Sequence, residues 1–142
     1  MIVHELTAIK KMLEEIDINN TRIVFLVNDQ NQLSGCISQG DIIRALINGV
    51  SLKLPSKDIA ELNPIAILDN ENSFNDAEKK LLESKIHAVP VVNQNREIIS
   101  VVTLLDVLQK NTREDLAAGA QLILEEVICE WISFNIKKYH NK

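Results

Sequence analysis

The chain has 142 residues, of which 46% are hydrophobic and 25% charged, enough for one compact domain or two half-domains that share a core. It contains only three Phe, one Trp and one Tyr, which predicts a core built from Ile, Leu and Val. The net charge is −5 and no run of Lys or Arg stands out, which argues against partners such as nucleic acid or an anionic membrane.

The sequence favours a cytoplasmic protein without metal. Its N-terminus shows no signal peptide, and no apolar stretch approaches the roughly 20 residues that span a bilayer. Cys36 and Cys129 lie among apolar residues, so we expect buried, reduced thiols. His4, His140 and the two cysteines are scattered without the spacing of metal ligands, so no metal site is predicted.

The hydrophobic pattern of the first fifty residues predicts strand, helix, strand, strand and helix. Thr7 is a candidate cap of the first helix, and Gly49 is the expected stop of the second. Polar residues between the two inner strands predict a hairpin turn. The predicted ranges are an extended segment at 1–6, a helix at 8–16, strands at 22–27 and 32–37, and a helix at 40–48.

A connector follows, and then the pattern begins again. Pro55 interrupts the connector, and residues 56–62 could form a short helix. Ser73 is the expected cap of the next helix. The predicted ranges of the second set are a strand at 64–68, a helix at 74–84, strands at 88–92 and 97–102, and a helix at 103–109.

The two sets are copies of each other. Ser38 and Asp41 recur as Thr103 and Asp106, and both pairs are separated by the same 65 residues. The apolar residues at 24–27 and 33–37 align without a gap with those at 89–92 and 98–102. A duplicated β-α-β-β-α unit predicts an α+β fold with pseudo-twofold symmetry and two related sites.

The tail has no counterpart in the repeat. Thr112 and Asp115 resemble a capping box that begins a helix of roughly 40 Å, at 1.5 Å per residue. Such a long helix with a wide apolar face needs a surface to cover it. The apolar face comprises Leu116, Ala120, Ile123, Val127, Trp131 and Phe134, widened by Leu124, Ile128 and Ile132.

These features together resemble the CBS domain pair, or Bateman module. The matching residues are Gly35–Arg44 in the first copy, with Ala88–Asn93 and Thr103-x-x-Asp106 in the second. The first copy is similar to the CBS pairs fused ahead of sugar-phosphate nucleotidyltransferases. The resemblance implies repeats at residues 1–50 and 64–110, a connector at 51–63 and an added amphipathic helix at 112–140.

The resemblance implies a regulatory module that binds AMP, ADP, ATP or S-adenosylmethionine between its repeats, requires no cofactor and catalyses nothing. A carboxylate and a hydroxyl are suited to the ribose hydroxyl groups. The ribose ligands implied are Ser38 and Asp41 in one cleft, and Thr103 and Asp106 in the other. The implied adenine contacts are Ile65, Val89 and Val101, and the implied phosphate contacts are His87 and Arg22.

Several departures from the family pattern argue against a highly charged ligand such as ATP. Phe25 stands where the family often has Pro, and Ser100 replaces a Gly. Ile23 and Ala88 occupy positions that can be basic in members that bind phosphates tightly. Adenosine-like recognition as such is not affected by these departures.

Each motif also has a purely structural interpretation. A hydroxyl followed three residues later by an acid at the start of a helix forms a capping box. His87 is equally well explained as a half-exposed residue at the start of a strand.

Two further functions therefore remain open, namely a ligand-free dimerisation or scaffolding module and an accessory part of a nucleotidyltransferase system. We expect a homodimer, in which the apolar face of the tail helix packs against the tail helix of the second copy. We also expect an effector protein, which the sequence does not identify.

Overall fold

A computed structural model of the protein describes residues 1–19 and 22–140, but no side chain at residues 19, 120–127 and 135–140. The chain divides into two units, Met1–Leu104 and Leu105–Lys142. The order of elements is that of two β-α-β-β-α units, so the predicted α+β class is confirmed. The elements are β1 (Ile2–His4), α1 (Ile9–Asn19), β2 (Ile23–Val27), β3 (Leu33–Ser38), α2 (Gln39–Ile47), a 3-10 helix (Ser56–Ile59), β4 (Ile67–Leu68), α3 (Ser73–Ser84), β5 (Ala88–Val92), β6 (Ile98–Thr103) and α4 (Leu104–His140).

The first unit contains two three-stranded sheets of the same topology. Each has a short parallel strand, a central strand and an antiparallel strand, in the orders β1-β2-β3 and β4-β5-β6. The hairpin register places Ile23 opposite Ser38 in the first sheet and Ala88 opposite Thr103 in the second. A register shift breaks each ladder at the same place, before Val27 and before Val92. The sequence repeat is therefore a repeat of strand pairing.

The hairpin turns are duplicated as well. The Asn28 side chain accepts hydrogen bonds from the backbone N–H groups of Gln30 (3.0 Å) and Gln32 (2.9 Å). Asn93 does the same in the second turn, for Asn95 (2.9 Å) and Glu97 (3.0 Å). This side-chain support is why Asn is favoured at the start of such turns. Each turn also has one residue in the left-handed region, Asn31 at φ 60° and Arg96 at φ 63°.

The core joins the two repeats. One buried cluster belongs to the first repeat and is formed by Val3, Ile9, Met12, Val24, Leu26 and Ile37. A second cluster takes Phe25 and Leu33 from the first sheet, and Ala88 and Val92 from the second. The first hairpin also donates a hydrogen bond from the Leu33 N–H group to the Arg96 carbonyl, at 2.8 Å. The apolar faces of both sheets are thus buried partly against each other.

The connector departs from the predicted pattern in its details. Its helix is a single 3-10 turn that ends at Ile59, and β4 is only two residues long, so Ile65 precedes the strand. Ser56 is fully buried, and its hydroxyl donates to the Thr7 carbonyl at 2.6 Å. Ser73 begins α3 instead of capping it, and its hydroxyl accepts from the Asn70 N–H group at 2.7 Å.

The last helix, α4, runs from Leu104 to His140 without interruption. The predicted helix start at Thr112 is wrong, since Thr112 lies inside α4. Of the predicted apolar face, Ala120, Ile123, Leu124 and Val127 lie outside the described side chains. The described members are exposed, with exposed fractions of 67% for Leu116, 54% for Ile128, 67% for Trp131, 45% for Ile132 and 67% for Phe134.

Two further expectations concern burial and membranes. Cys36 is half-buried, but Cys129 is exposed on α4, so the expectation of a buried thiol is wrong for Cys129. Among the described residues, no helix combines the length and the apolarity that crossing a membrane requires.

Candidate functional site

The Ser38 and Asp41 motif forms a complete capping box at the start of α2. The Asp41 carboxylate accepts from the Ser38 backbone N–H group at 2.8 Å and from its hydroxyl at 2.9 Å. In return, the Ser38 hydroxyl oxygen accepts from the Asp41 N–H group at 3.3 Å. The structural interpretation of this motif is therefore correct, because two otherwise unsatisfied donors of the first helical turn are paired.

The charge of Asp41 is stabilised within the same turn. Partial burial disfavours the ionised carboxylate, but the hydrogen bonds from Ser38 and from Arg44 outweigh it and lower the pKa of Asp41 below its usual value. The Arg44 guanidinium donates to the Asp41 carboxylate at 2.6 Å. A carboxylate has about four lone-pair positions. With three bonds accepted from Ser38 and Arg44, the Asp41 carboxylate retains the capacity to accept one more.

A cleft of about 300 Å³ opens between the two sheets, within the first unit. We call it the inter-repeat cleft. Its volume lies at the lower end of the range that small-molecule sites occupy. Its wall is mostly aliphatic, with one aromatic ring and one carboxylate. The residues that line it are Ile23, Phe25, Cys36, Glu61, Asn63, Pro64, Ile65, Ile86 and Ala88.

The connector is fixed to the wall of the cleft by backbone hydrogen bonds. The Cys36 N–H group donates to the Glu61 carbonyl at 3.0 Å, and the Glu61 N–H group donates to the Cys36 carbonyl at 2.9 Å. Gly35 allows this approach, since a Cβ atom there would lie 3.1 Å from the Glu61 carbonyl oxygen and 3.3 Å from the Ala60 Cβ. The absence of a side chain at Gly35 therefore permits the pairing that positions Glu61.

The thiol of Cys36 is neutral in this setting. Burial raises its pKa to about 11, and the charges of Asp41 and Glu61 act in the same direction. A reactive cysteine needs the thiolate form, which an electropositive surrounding favours. Cys36 therefore contributes a small polarisable surface to the cleft and no nucleophile.

The nine ligand residues predicted from the sequence are dispersed in the structure. Ile65 lines the inter-repeat cleft, and its side chain is 41% exposed. Val89 is fully buried, so no accessible surface of it is available to an adenine ring. Val101 packs on the core cluster that joins the two sheets. Arg22 and His87 are exposed, and neither is among the residues that line the cleft.

The second motif starts α4. Thr103 ends β6 and is half-buried, and Asp106 lies in the first turn of α4 and is exposed. An acid at that position is stabilised by the positive end of the helix dipole. Ribose binding by Thr103 and Asp106 stays a prediction.

Sequence reasoning missed most of the lining of the cleft. The repeat contained one usable signal, because Ile23 and Ala88 are matched positions of the two copies and face the cleft together. Alternation along β5 then separates Ala88, which lines the cleft, from Val89, which does not. No local signal identifies Glu61, since its place depends on pairing with Cys36 in a distant part of the chain.

Comparison with known proteins shows the family. A family profile described as the CBS domain matches residues 2–48 and 57–111, which is most of the chain. The chain therefore belongs to the CBS domain family, and the two matched segments make it a CBS pair. The predicted resemblance is confirmed.

Curated relatives carry this region within longer chains. An uncharacterised protein of Helicobacter pylori is 31% identical over 103 residues, which are 72% of this chain and 31% of the relative. The arabinose 5-phosphate isomerase GutQ of Salmonella typhi is 26% identical over 103 residues, 72% of this chain and 32% of GutQ. The chain thus spans about a third of the length of the curated relatives it matches.

Solved structures share the fold and include complexes with adenosine compounds. The CBS domain protein PAE2072 from Pyrobaculum aerophilum, complexed with AMP, is 26% identical with a TM-score of 0.65, covering 75% of this chain and 81% of that one. The CBS pair of protein MJ0100, complexed with 5′-methylthioadenosine and S-adenosylmethionine, is 23% identical with a TM-score of 0.69, covering 80% and 89%. The second likeness shows the fold alone.

Proposed function

We propose that this chain is a regulatory module that binds an adenosine-type compound and modulates a partner protein. The observation that carries the proposal is the inter-repeat cleft, whose wall combines residues of both repeats with the connector between them. Ile23 and Phe25 come from the first sheet. From the second repeat, Ala88 is the first residue of β5 and Ile86 precedes it. A ligand that touches both sheets would favour one relative packing over another. Its effect is limited by the difference in its affinity for the two packings.

The chemistry of the wall suits a nucleoside. Aliphatic side chains and the Phe25 ring provide apolar surface for an adenine, and the Glu61 carboxylate can accept hydrogen bonds from hydroxyl or amino groups. The relative from Pyrobaculum aerophilum is complexed with AMP, which supports an adenosine compound as the ligand class. Ser38, Asp41, Thr103 and Asp106 remain the proposed ribose ligands, although they are not among the described residues that line the cleft. No catalytic residue is assigned.

A thermal-shift screen tests this function. The ligands are adenosine, 5′-methylthioadenosine, AMP, ADP, ATP and S-adenosylmethionine, with GTP as a control of different base. A ligand at 100 times its dissociation constant adds about 2.7 kcal/mol of stability. That change raises the melting temperature of a chain of this size by several degrees.

Variants then separate binding from capping. Asp41→Ala and Asp106→Ala should each be compared with the wild type in the presence and in the absence of ligand. Loss of the ligand-induced shift in either variant supports ribose binding at that motif. If no adenosine compound raises the melting temperature of the wild type, the function proposed here is wrong, and the ligand-free dimerisation module is favoured instead.

Exposed apolar residues favour self-association in addition to ligand binding. On α4, Leu116, Trp131 and Phe134 are each 67% exposed, which is costly for an isolated helix. We expect a second copy of the chain to cover this face in a symmetric dimer. Sedimentation equilibrium should show a dimer that Trp131→Glu converts to a monomer. Leu82→Glu, which changes a 62% exposed residue of α3, is the matched control and should leave the dimer intact.

A further inference from the structure

We propose that the inter-repeat cleft selects uncharged or cationic adenosine derivatives over phosphorylated ones, and that Glu61 determines this specificity. The inference rests on the proposed function and adds the class of ligand. Its basis is the charge of the cleft wall, which contains one carboxylate and, among the described residues that line it, no Lys, Arg or His. The second ionisable group of the wall, the Cys36 thiol, is neutral at physiological pH.

The position of Glu61 is fixed by its surroundings. Its backbone is paired with Cys36 in both directions, at 2.9 and 3.0 Å, and Gly35 permits the close approach. Its carboxylate also accepts from the backbone N–H group of Asn63, at 3.3 Å, and Asn63 itself lines the cleft. The backbone of Glu61 is therefore fixed beside the cleft, and one oxygen of its exposed carboxylate is bonded to a neighbouring residue of the wall.

Three cationic residues that could compensate this charge, Arg44, Arg22 and His87, are engaged or do not line the cleft. The Arg44 guanidinium is bound to Asp41 at 2.6 Å. Glu61 differs from Asp41 in this respect, because no Lys or Arg side chain is recorded in an ion pair with it among the described residues. Arg22 and His87, the phosphate contacts expected from the sequence, do not line the cleft.

A carboxylate distinguishes these ligands by chemistry as well as charge. Ribose hydroxyl groups and the adenine amino group are donors that a carboxylate accepts, whereas a phosphate group offers acceptors and negative charge. A carboxylate repels the two negative charges of a phosphate group. At distances and dielectric constants typical of a protein surface, this repulsion lowers the affinity for the phosphorylated ligand by on the order of tenfold. A sulfonium group is attracted by the same carboxylate.

Isothermal titration calorimetry with a matched pair of ligands tests the inference. The uncharged ligand is 5′-methylthioadenosine and the anionic one is AMP, both titrated in low-salt buffer at neutral pH. The wild type should bind 5′-methylthioadenosine more tightly, by on the order of tenfold. Glu61→Gln, which removes the charge and keeps the shape, should bind AMP more tightly and so reduce the ratio of the two affinities. Glu71→Gln, an exposed residue that does not line the cleft, is the matched control and should leave the ratio unchanged.

A salt series on the wild type supplies a second test that needs no variant. Raising the ionic strength screens repulsion at an exposed charge, so AMP should bind more tightly and 5′-methylthioadenosine should not change. Equal or tighter binding of AMP by the wild type would overturn the specificity, and an unchanged ratio in Glu61→Gln would overturn the role of Glu61; either result leaves the proposed function standing. Failure of every adenosine compound of the thermal-shift screen to bind would overturn the proposed function itself.

Discussion

The two repeats end in different ways although they pair their strands in the same way. Both hairpins have the same register, the same bulge and the same asparagine-supported turn. The first closing helix, α2, ends at Ile47 and is followed by its cap Asn48 and by Gly49, which adopts φ 69°. The corresponding residues of the second repeat are Arg113 and Glu114, which continue a helix, and α4 extends to His140.

This difference shows what duplication preserves and what single residues decide. Strand pairing and turn chemistry are set by many residues at once, so both copies retain them. The end of a helix depends on one residue that can adopt the left-handed conformation, which glycine does without steric cost. The second repeat has Glu114 at the position that matches Gly49, and its helix continues into a tail whose described apolar residues are exposed.

The largest effect on stability is expected at a matched pair of core positions whose side chains differ in size. Met12 in α1 and Ala77 in α3 are matched positions, 65 residues apart, and both are fully buried. Met12→Ala, which copies the second repeat, leaves a cavity and should lower the free energy of unfolding by about 2–5 kcal/mol. Ala77→Met should overpack and lower it by about 1–3 kcal/mol. Urea denaturation measures both.

Leu82→Ala is the control for these core variants, because Leu82 is 62% exposed. It should change the free energy of unfolding by no more than about 0.5 kcal/mol. An equally small change for Met12→Ala would contradict the packing described for the first repeat.

The next effect concerns the end of α2. Gly49→Ala introduces a side chain at φ 69° and should lower the free energy of unfolding by about 1–2 kcal/mol. Backbone strain is the only cause expected, because the added Cβ would meet no atom within 4 Å beyond its chain neighbours. Gly119→Ala is the matched control, because Gly119 lies inside α4 and an added Cβ would also meet no atom within 4 Å. The change in stability should have the opposite sign. This substitution should raise helix stability by about 0.5–1 kcal/mol, measured by circular dichroism on heating.

The capping box of α2 should depend on pH. At pH 7, Asp41→Asn should lower the free energy of unfolding by about 1 kcal/mol, since it weakens the charged cap. Because folding lowers the pKa of Asp41, its contribution is fully present above the unfolded-state pKa of about 3.9 and is lost as the pH falls through the folded value. The difference between variant and wild type should therefore shrink below about pH 4.

Chemical denaturation at several pH values measures this dependence. Glu130→Gln, an exposed residue of α4, serves as the control for the loss of one negative charge. A difference between Asp41→Asn and the wild type that is the same at pH 7 and at pH 3 would show that the Asp41 charge does not stabilise the helix start.

The smallest effect is expected at the hairpin turns. Arg96 holds φ 63° at the place where the first turn has Asn31 at φ 60°. Asn tolerates the left-handed region better than Arg does, so Arg96→Asn should raise the free energy of unfolding by up to about 1 kcal/mol. Asn31→Arg should lower it by a similar amount. Thermal unfolding measures the stability of each variant relative to the wild type. If Asn31→Arg raised the stability, the left-handed conformation of the turn residue would not be the cause of these effects.

The sequence by itself determined the local structure of this protein. Hydrophobic period, turn residues and the 65-residue repeat predicted both hairpins, the α+β class and the family, and a hydroxyl-to-acid spacing predicted the cap at Ser38 and Asp41. Gly49 predicted the end of α2. These features depend on residues close together in the chain, so their pattern is legible without the fold.

Only the tertiary structure decided the composition of the cleft. Pairing of Cys36 with Glu61, which Gly35 permits, brings a connector carboxylate to the wall, and burial removes Val89 from the residues a ligand could reach. Local patterns cannot specify such contacts, because they join segments that are distant in sequence and are selected by packing. The same reason explains why the predicted phosphate contacts Arg22 and His87 do not line the cleft.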